Sequence, residues 1–244
     1  MWRWVFLDVG NVLLDEDPLT YLSFQRHVAA VRRVRPDINF SELLALREAR
    51  AIAGCPWPVY EAVSTYLDEA QCAAVWKTTA CEVRARFDEL SPVIAGAAEL
   101  LDHLAPRYRL GLIANQGPEC RARLRSLGWL ERFEVLAFSE ELGWSKPDPR
   151  LFLHALKAAG AEPAECLMVG DRLDNDLVPA QGLGLATAWL RWPARAAKAW
   201  QPDDFEARAY LASLERSSRA ASLLFPDAQP TVACDELRQL GVLL

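Results

Sequence analysis

Three short apolar runs each stop abruptly at a polar residue, and this pattern limits the fold more than any other feature of the chain. They are Val5-Phe6-Leu7 before Asp8, Leu110-Gly111-Leu112-Ile113-Ala114 before Asn115, and Leu167-Met168-Val169-Gly170 before Asp171. In a parallel sheet such runs are strands buried on both faces, and the residues just past their carboxyl ends line the ligand crevice. A fourth patch, Ser145-Lys146-Pro147-Asp148-Pro149, lies between the second and third runs. A carboxylate, an amide, an ammonium and a second carboxylate are therefore expected at one sheet edge. That set suits a nucleophile, a phosphate clamp and a magnesium ion.

The rest of the chain supports an α/β reading. Residues 3–8 are predicted as a strand. From Gly96 onward the rhythm is strand and helix in alternation: helix 96–104, strand 108–114, helix 118–127, strand 135–138, helix 149–159, strand 166–170, helix 175–181, strand 185–190. Units of this length imply a parallel sheet with helices on both faces. Residues 16–90 are different in character, with amphipathic helical stretches and no buried strand. Asp17 is the expected N-cap of a helix running to Val34, and Ser41 the expected start of another running to about Ala53. Gly54-Cys55-Pro56-Trp57-Pro58 breaks the chain, and further helices are predicted over 59–67 and 69–87. The expected organisation is a Rossmann-like, doubly wound core of residues 1–15 and 91–244 with an all-helical insertion of 16–90. Residues 193–229 are rich in Ala, Arg and Ser, with helical stretches and no evident chemistry. Thr231–Cys234 reads as an edge strand and Asp235 as the start of a last helix.

Bulk properties exclude several classes. A chain of 244 residues with 52% apolar content can bury a large core without staples. A net charge of −6 argues against a general nucleic-acid or anionic-membrane binder. The six cysteines form no Cys-x-x-Cys pair, which points to reduced cytoplasmic thiols and away from zinc. No run is long enough to span a bilayer, and the first residues lack the apolar region of a signal peptide.

Taken together and in order, the four patches over residues 5–176 resemble the motifs of the haloacid dehalogenase superfamily. The helical insertion falls where one branch of that family carries its cap domain. The resemblance implies a Rossmann-like fold, an aspartate nucleophile, Mg2+ as cofactor and a small phosphorylated metabolite as substrate. It makes Asp8 the nucleophile that forms an aspartyl phosphate. It makes Lys146 the cation that neutralises nucleophile and phosphoryl group, with Pro147 enforcing an extended approach. The metal set is Asp8, the backbone carbonyl of Gly10, and Asp171, with Asp176 holding a metal-bound water. Phosphoryl oxygens fall to Lys146, to the side chain or N–H of Asn115, and to the N–H of Gln116.

Two positions depart from the family pattern. Ala114 stands where a hydroxyl residue usually binds a phosphoryl oxygen, a loss of about 1.5–3 kcal/mol if nothing replaces the bond. Gly10 stands where phosphatases of the family usually carry a second aspartate as general acid and base, a contribution of roughly 10²–10⁴ in rate. Asp15 reads as one solvated member of the Asp15-Glu16-Asp17 run, with a substitute proton donor as the alternative. The leading expectation is a Mg2+-dependent phosphohydrolase. The second is a catalytically weak or inactive phosphate-ligand-binding protein on the same scaffold. A phosphonatase or dehalogenase ranks third, because Lys77 is the single lysine in 16–90 and Gly170-Asp171 replaces the serine of dehalogenases.

Overall fold

In the computed structural model, which describes residues 2–191 and 198–244, the chain divides into two units. One comprises Met1–Asp15, Pro92–Ala199 and Asp227–Leu244; the other comprises Glu16–Ser91 and Trp200–Pro226.

The first unit is built on a six-stranded sheet. Its strands are β1 (Trp4–Leu7), β2 (Arg109–Ala114), β3 (Val135–Phe138), β4 (Cys166–Gly170), β5 (Ala186–Leu190) and β6 (Val232–Cys234). Their spatial order is β3-β2-β1-β4-β5-β6, with every neighbouring pair parallel. The chain builds outward from β1 in one direction and then from β4 in the other. The order reverses between β1 and β4, so the crevice for a ligand opens at the carboxyl ends of these two strands. Register places Leu7 beside both Leu112 and Val169, so Asp8, Asp171 and Asn115 follow one, two and three residues beyond the same level of the sheet, all at its carboxyl edge.

Alternation along β1 explains why four consecutive apolar residues are needed. Trp4 and Phe6 join one core cluster with Ile113, Met168, Leu151 and Phe152, while Val5 and Leu7, also fully buried, point to the opposite face. The close approach of strands leaves no room for a side chain at Gly111, where an added Cβ would lie 2.5 Å from the Phe6 ring.

The second unit is helical: α1 (Asp17–Val34), α2 (Phe40–Ile52), α3 (Pro58–Val63), α4 (Glu69–Ala85) and α5 (Phe87–Leu90). The first unit carries α6 (Ala97–Leu104), α7 (Pro118–Ser126), α8 (Ser139–Leu142), α9 (Pro149–Ala159) and α10 (Val178–Gly182). The chain then returns to the helical unit with α11 (Phe205–Ser222), and α12 (Leu237–Leu243) closes the first unit. Among the described residues no helix is long and apolar enough to cross a membrane.

Several expectations need correction. Trp200–Pro226, grouped with the core on sequence, belongs to the helical unit. The reason is a stripe of small and aromatic residues on α11. Ala207 and Tyr210 are buried in the same cluster as Phe24, Phe40 and Leu43, and Arg47 of α2 donates to Ser217 Oγ at 2.9 Å. Helix α2 begins at Phe40 and not at Ser41, because Asn39 and Glu42 form a reciprocal capping box. Asp17 lies inside α1, whose N-cap Glu16 makes no side-chain capping bond. The stretch read as helix 175–181 is a π-type turn over Leu173–Leu177 followed by α10. Of the segment 193–229, residues 193–197 lie outside the described residues.

Candidate active site

The residue following β1 is Asp8. Its backbone N–H donates to the Val169 carbonyl of β4 at 2.9 Å, which fixes it at the point where the strand order reverses. One carboxylate oxygen, Oδ1, accepts from the Val9 N–H at 2.8 Å and lies 2.8 Å from Lys146 Nζ. Lys146 also donates to Asp176 Oδ1 at 2.6 Å, so one ammonium joins two carboxylates. Lys146 is 4% exposed and Asp176 fully buried, so these contacts act at low dielectric, where charges interact most strongly.

Asp171 follows β4, as Asp8 follows β1. Its backbone carbonyl accepts from Trp189 Nε1 of β5 at 3.0 Å, a tether that leaves the carboxylate to the crevice. Asp8, Asp171 and Asp176 each present an oxygen within 4.8 Å of the others. The π-type turn after Arg172 brings Asp176 back towards the end of β4. There Asp176 Oδ2 accepts from the Arg172 N–H at 3.0 Å. Gly170 is required for this return, since a Cβ at that position would lie 2.3 Å from Asp176 Cβ.

Electrostatics follow from the crowding. Burial raises the Asp8 pKa to about 6, with Lys146 opposing and Asp176 adding to the rise. Burial likewise pushes Asp171 well above the usual carboxylate range, reinforced by Asp176 and Asp8 and opposed by Lys198 and Arg172. Burial alone would lower Lys146, but Asp176 and Asp8 outweigh it and hold the ammonium charged. Three carboxylates share one close ammonium, so their ionised forms are disfavoured unless a further positive charge joins them.

The donor set fits magnesium. It consists of hard carboxylate oxygens, the ligand type Mg2+ takes, all within 4.8 Å of one another.

The sequence-predicted residues are brought together in part as expected. Asp8, Lys146, Asp171 and Asp176 converge. Asn115 lies at the end of β2, but its side chain is committed to Lys146. Nδ2 donates to the Lys146 carbonyl at 3.0 Å, and Oδ1 accepts from the Lys146 N–H at 2.7 Å. The amide therefore positions the lysine, and the phosphate-binding expectation for Asn115 is confined to its backbone. The Gln116 carbonyl accepts from the Glu140 N–H at 3.2 Å, which anchors the loop after β2. Gly10 is buried and pairs in an isolated bridge with Leu14.

The sequence reading misplaced Asp15 and missed Lys198 and the role of Asn11 beside it. Asp15 is fully buried, not solvated. Lys198 Nζ lies 3.4 Å from Asp15 Oδ1 and donates to Asn11 Oδ1 at 2.7 Å. Leu13-Leu14-Asp15 carries the same signal as the strand ends, an apolar run stopping at an acid, which the acidic neighbours Glu16 and Asp17 mask. Lys198 has no comparable signal.

Comparisons with known proteins bear on this arrangement. Residues 2–184 match the family model for haloacid dehalogenase-like hydrolases. The chain is 35% identical over 104 residues to the pyrimidine 5'-nucleotidase YjjG of Escherichia coli, covering 42% of this chain and 46% of that one. It is 36% identical over 101 residues to a glyceraldehyde 3-phosphate phosphatase of Pyrococcus abyssi, covering 41% and 42%. These matches span less than half the length of each relative. Solved structures share the fold over the whole chain. A haloacid dehalogenase phosphatase from Thermococcus onnurineus superposes with a TM-score of 0.63 at 20% identity, covering 100% of this chain and 97% of that one. A putative phosphoglycolate phosphatase from Lactobacillus plantarum superposes with a TM-score of 0.68 at 15% identity, covering 100% of both. With its motifs spread over a doubly wound sheet and its carboxylates gathered at the switch point, the chain belongs to the haloacid dehalogenase-like hydrolase family.

Proposed function

We propose that this protein is a Mg2+-dependent phosphohydrolase acting on a small phosphorylated metabolite through an aspartyl phosphate. The observation that carries the reading is the placement of Lys146 Nζ between Asp8 and Asp176, with Asp171 in the same carboxylate cluster. Relatives named as a pyrimidine 5'-nucleotidase, a glyceraldehyde 3-phosphate phosphatase and a phosphoserine phosphatase support this substrate class. Six free thiols suit a reducing, cytoplasmic setting.

Asp8 attacks phosphorus through a carboxylate oxygen, and the leaving oxygen departs with the electron pair of its bond to phosphorus. Lys146 holds the nucleophile in place and offers positive charge to the phosphoryl oxygens. Water then cleaves the acyl phosphate and regenerates Asp8. Asp8, Asp171 and the Gly10 carbonyl would hold Mg2+. Asp176, whose two oxygens already accept from Lys146 and from the Arg172 N–H, would act on the ion at one remove. When bound, the ion supplies charge neutralisation at the phosphoryl group. The backbone N–H groups at Asn115 and Gln116 complete the phosphate contacts, since Ala114 offers no hydroxyl. The helical unit, residues 16–91 with 200–226, would select the leaving group as a cap.

Gly10 and Ala114 favour a second reading, a phosphate-binding protein with weak or no catalysis. A screen of phosphorylated metabolites with and without Mg2+ separates the two. The phosphohydrolase turns over at least one class, and Asp8→Asn loses roughly 10⁴-fold or more in kcat while remaining folded. Beryllium fluoride should bind the wild type at Asp8 and spare the variant. Substantial turnover by pure Asp8→Asn protein excludes the covalent route.

A further inference from the structure

Two buried, oppositely charged side chains of the first unit have no part in the site as derived. Asp15 is fully buried, and the Lys198 side chain is 3% exposed. Lys198 grips the turn after the nucleophile at both ends, through Asn11 Oδ1 at 2.7 Å and Asp15 Oδ1 at 3.4 Å. The turn itself is closed by the Asn11 N–H donating to the Leu14 carbonyl at 2.7 Å and by the Gly10–Leu14 bridge. Asn11 adopts a φ of 56°, a left-handed conformation that asparagine tolerates better than most residues. A buried ion pair is weak grounds for stability, because desolvation offsets much of the attraction. Something other than stability is the better reason for an ammonium here.

The reaction leaves a demand that no assigned group meets. As the bond from Asp8 to phosphorus forms, charge develops on the leaving oxygen, and in a dry site it must meet a proton or a cation. Gly10 has no side chain. Lys146 already serves the nucleophile and the phosphoryl oxygens, against Asp8 and Asp176 at 2.8 and 2.6 Å. Arg172 pairs with Asp174 and has an exposed side chain, so it is not a desolvated cation. Among the described residues, Lys146 and Lys198 are the buried cations of the first unit. Lys198 lies beside the nucleophile turn, its Nζ 2.7 Å from Oδ1 of Asn11, three residues after Asp8.

We propose that Lys198 is the cation that meets the leaving oxygen, held for that task by Asn11 and Asp15. The proposal rests on the phosphohydrolase reading. The P–O bond to the leaving group breaks, its electron pair stays on the leaving oxygen, and the ammonium compensates the charge. The alkoxide takes a proton from solvent on release.

The test is a series of aryl and alkyl phosphates hydrolysed at saturating Mg2+ by the wild type, Lys198→Met, Lys198→Arg, Asp15→Asn, and the double variant Asp15→Asn/Lys198→Met. The double variant removes both buried charges, so neither is left alone if the single change impairs folding. Lys198→Met should lose kcat/KM on alkyl phosphates by roughly 10²-fold more than on 4-nitrophenyl phosphate. The double variant should show the same selectivity, and Lys198→Arg should keep most of the alkyl rate. An equal loss across the series in both Lys198→Met and the double variant assigns Lys198 a purely structural role and overturns the proposal. So does an alkyl-selective loss in Asp15→Asn that is absent from Lys198→Met, which makes Asp15 the donor. If the wild type turns over no member of the series, the phosphohydrolase reading itself fails and this proposal falls with it.

Discussion

Gly170 and Asp176 form a pair in which one residue is defined by what the other lacks. Asp176 Oδ1 accepts from Lys146, and its Cβ occupies the space that any side chain at position 170 would need. Gly170→Ala must therefore move Asp176 and loosen the Lys146 ammonium from its place against Asp8. A displacement of about 1 Å in such a constellation can cost roughly 10²-fold in rate. We expect kcat to fall by that order for Gly170→Ala, with little change in KM. Unaltered kcat would mean that Asp176 does not position Lys146. Asp8, Lys146 and Asp171 were legible in the sequence because each sits beside a local signal, an apolar run or a proline-bounded lysine. The side chain of Asn115 was not, because its partners are the backbone atoms of Lys146, 31 residues away. Asp15 was misread for a related reason. Its charge partner, Lys198, is remote in sequence, and its acidic neighbours suggested solvent.

Elements were legible to the extent that their patterns are local. Apolar runs located β1, β2 and β4, and strand–helix alternation set the sheet class. Helix α11 was placed with the wrong unit because its fit to α2 depends on contacts that no periodicity reveals, such as Arg47 with Ser217 and Tyr210 against Phe24 at a centroid distance of 5.3 Å. Helix α1 carries a titratable group whose effect can be signed. His27 is 1% exposed, its Nδ1 lies 2.7 Å from the Ser23 carbonyl, and its ring meets Trp76 edge to face. Burial lowers its pKa below the ordinary 6.5, with the Ser23 carbonyl opposing to a smaller extent. The unfolded chain therefore binds a proton at a higher pH than the native helix does. The contribution of His27 to stability is complete above pH 6.5 and declines as pH falls towards and through the lower folded value. Urea unfolding of the wild type and His27→Gln at pH 7.5 and 5.5 isolates this effect from that of the carboxylates. The advantage of the wild type should shrink on acidification, and an advantage independent of pH would show that His27 titrates alike in both states.

At the scale of the whole molecule, the proposed cation site bears on the stability of the chain. Asp8, Asp171 and Asp176 converge within 4.8 Å, and Lys146 is the ammonium that bridges two of them. Without a divalent cation, folding must press these carboxylates together at low dielectric, where like charges repel most strongly. Asp171 has a particular place in this balance. Its backbone carbonyl is held by Trp189 Nε1, so a change confined to its side-chain charge leaves that tether intact. Asp171→Asn should therefore have two effects of opposite sign. In EDTA the variant should unfold at a higher temperature than the wild type, because one of the repelling charges is gone. In Mg2+ it should gain little, because the ion has lost a charged ligand. A ligand present at about a hundred times its dissociation constant stabilises the native state by about 2.7 kcal/mol. For a chain of this size that corresponds to a rise of roughly 5–10 °C for the wild type. The two melting curves should thus cross in order as Mg2+ is added, with the variant more stable without the ion and the wild type more stable with it. The idea fails if Asp171→Asn is the less stable protein in EDTA, which would assign Asp171 a structural role. It also fails if the variant keeps the full Mg2+ shift, which would place the ion elsewhere.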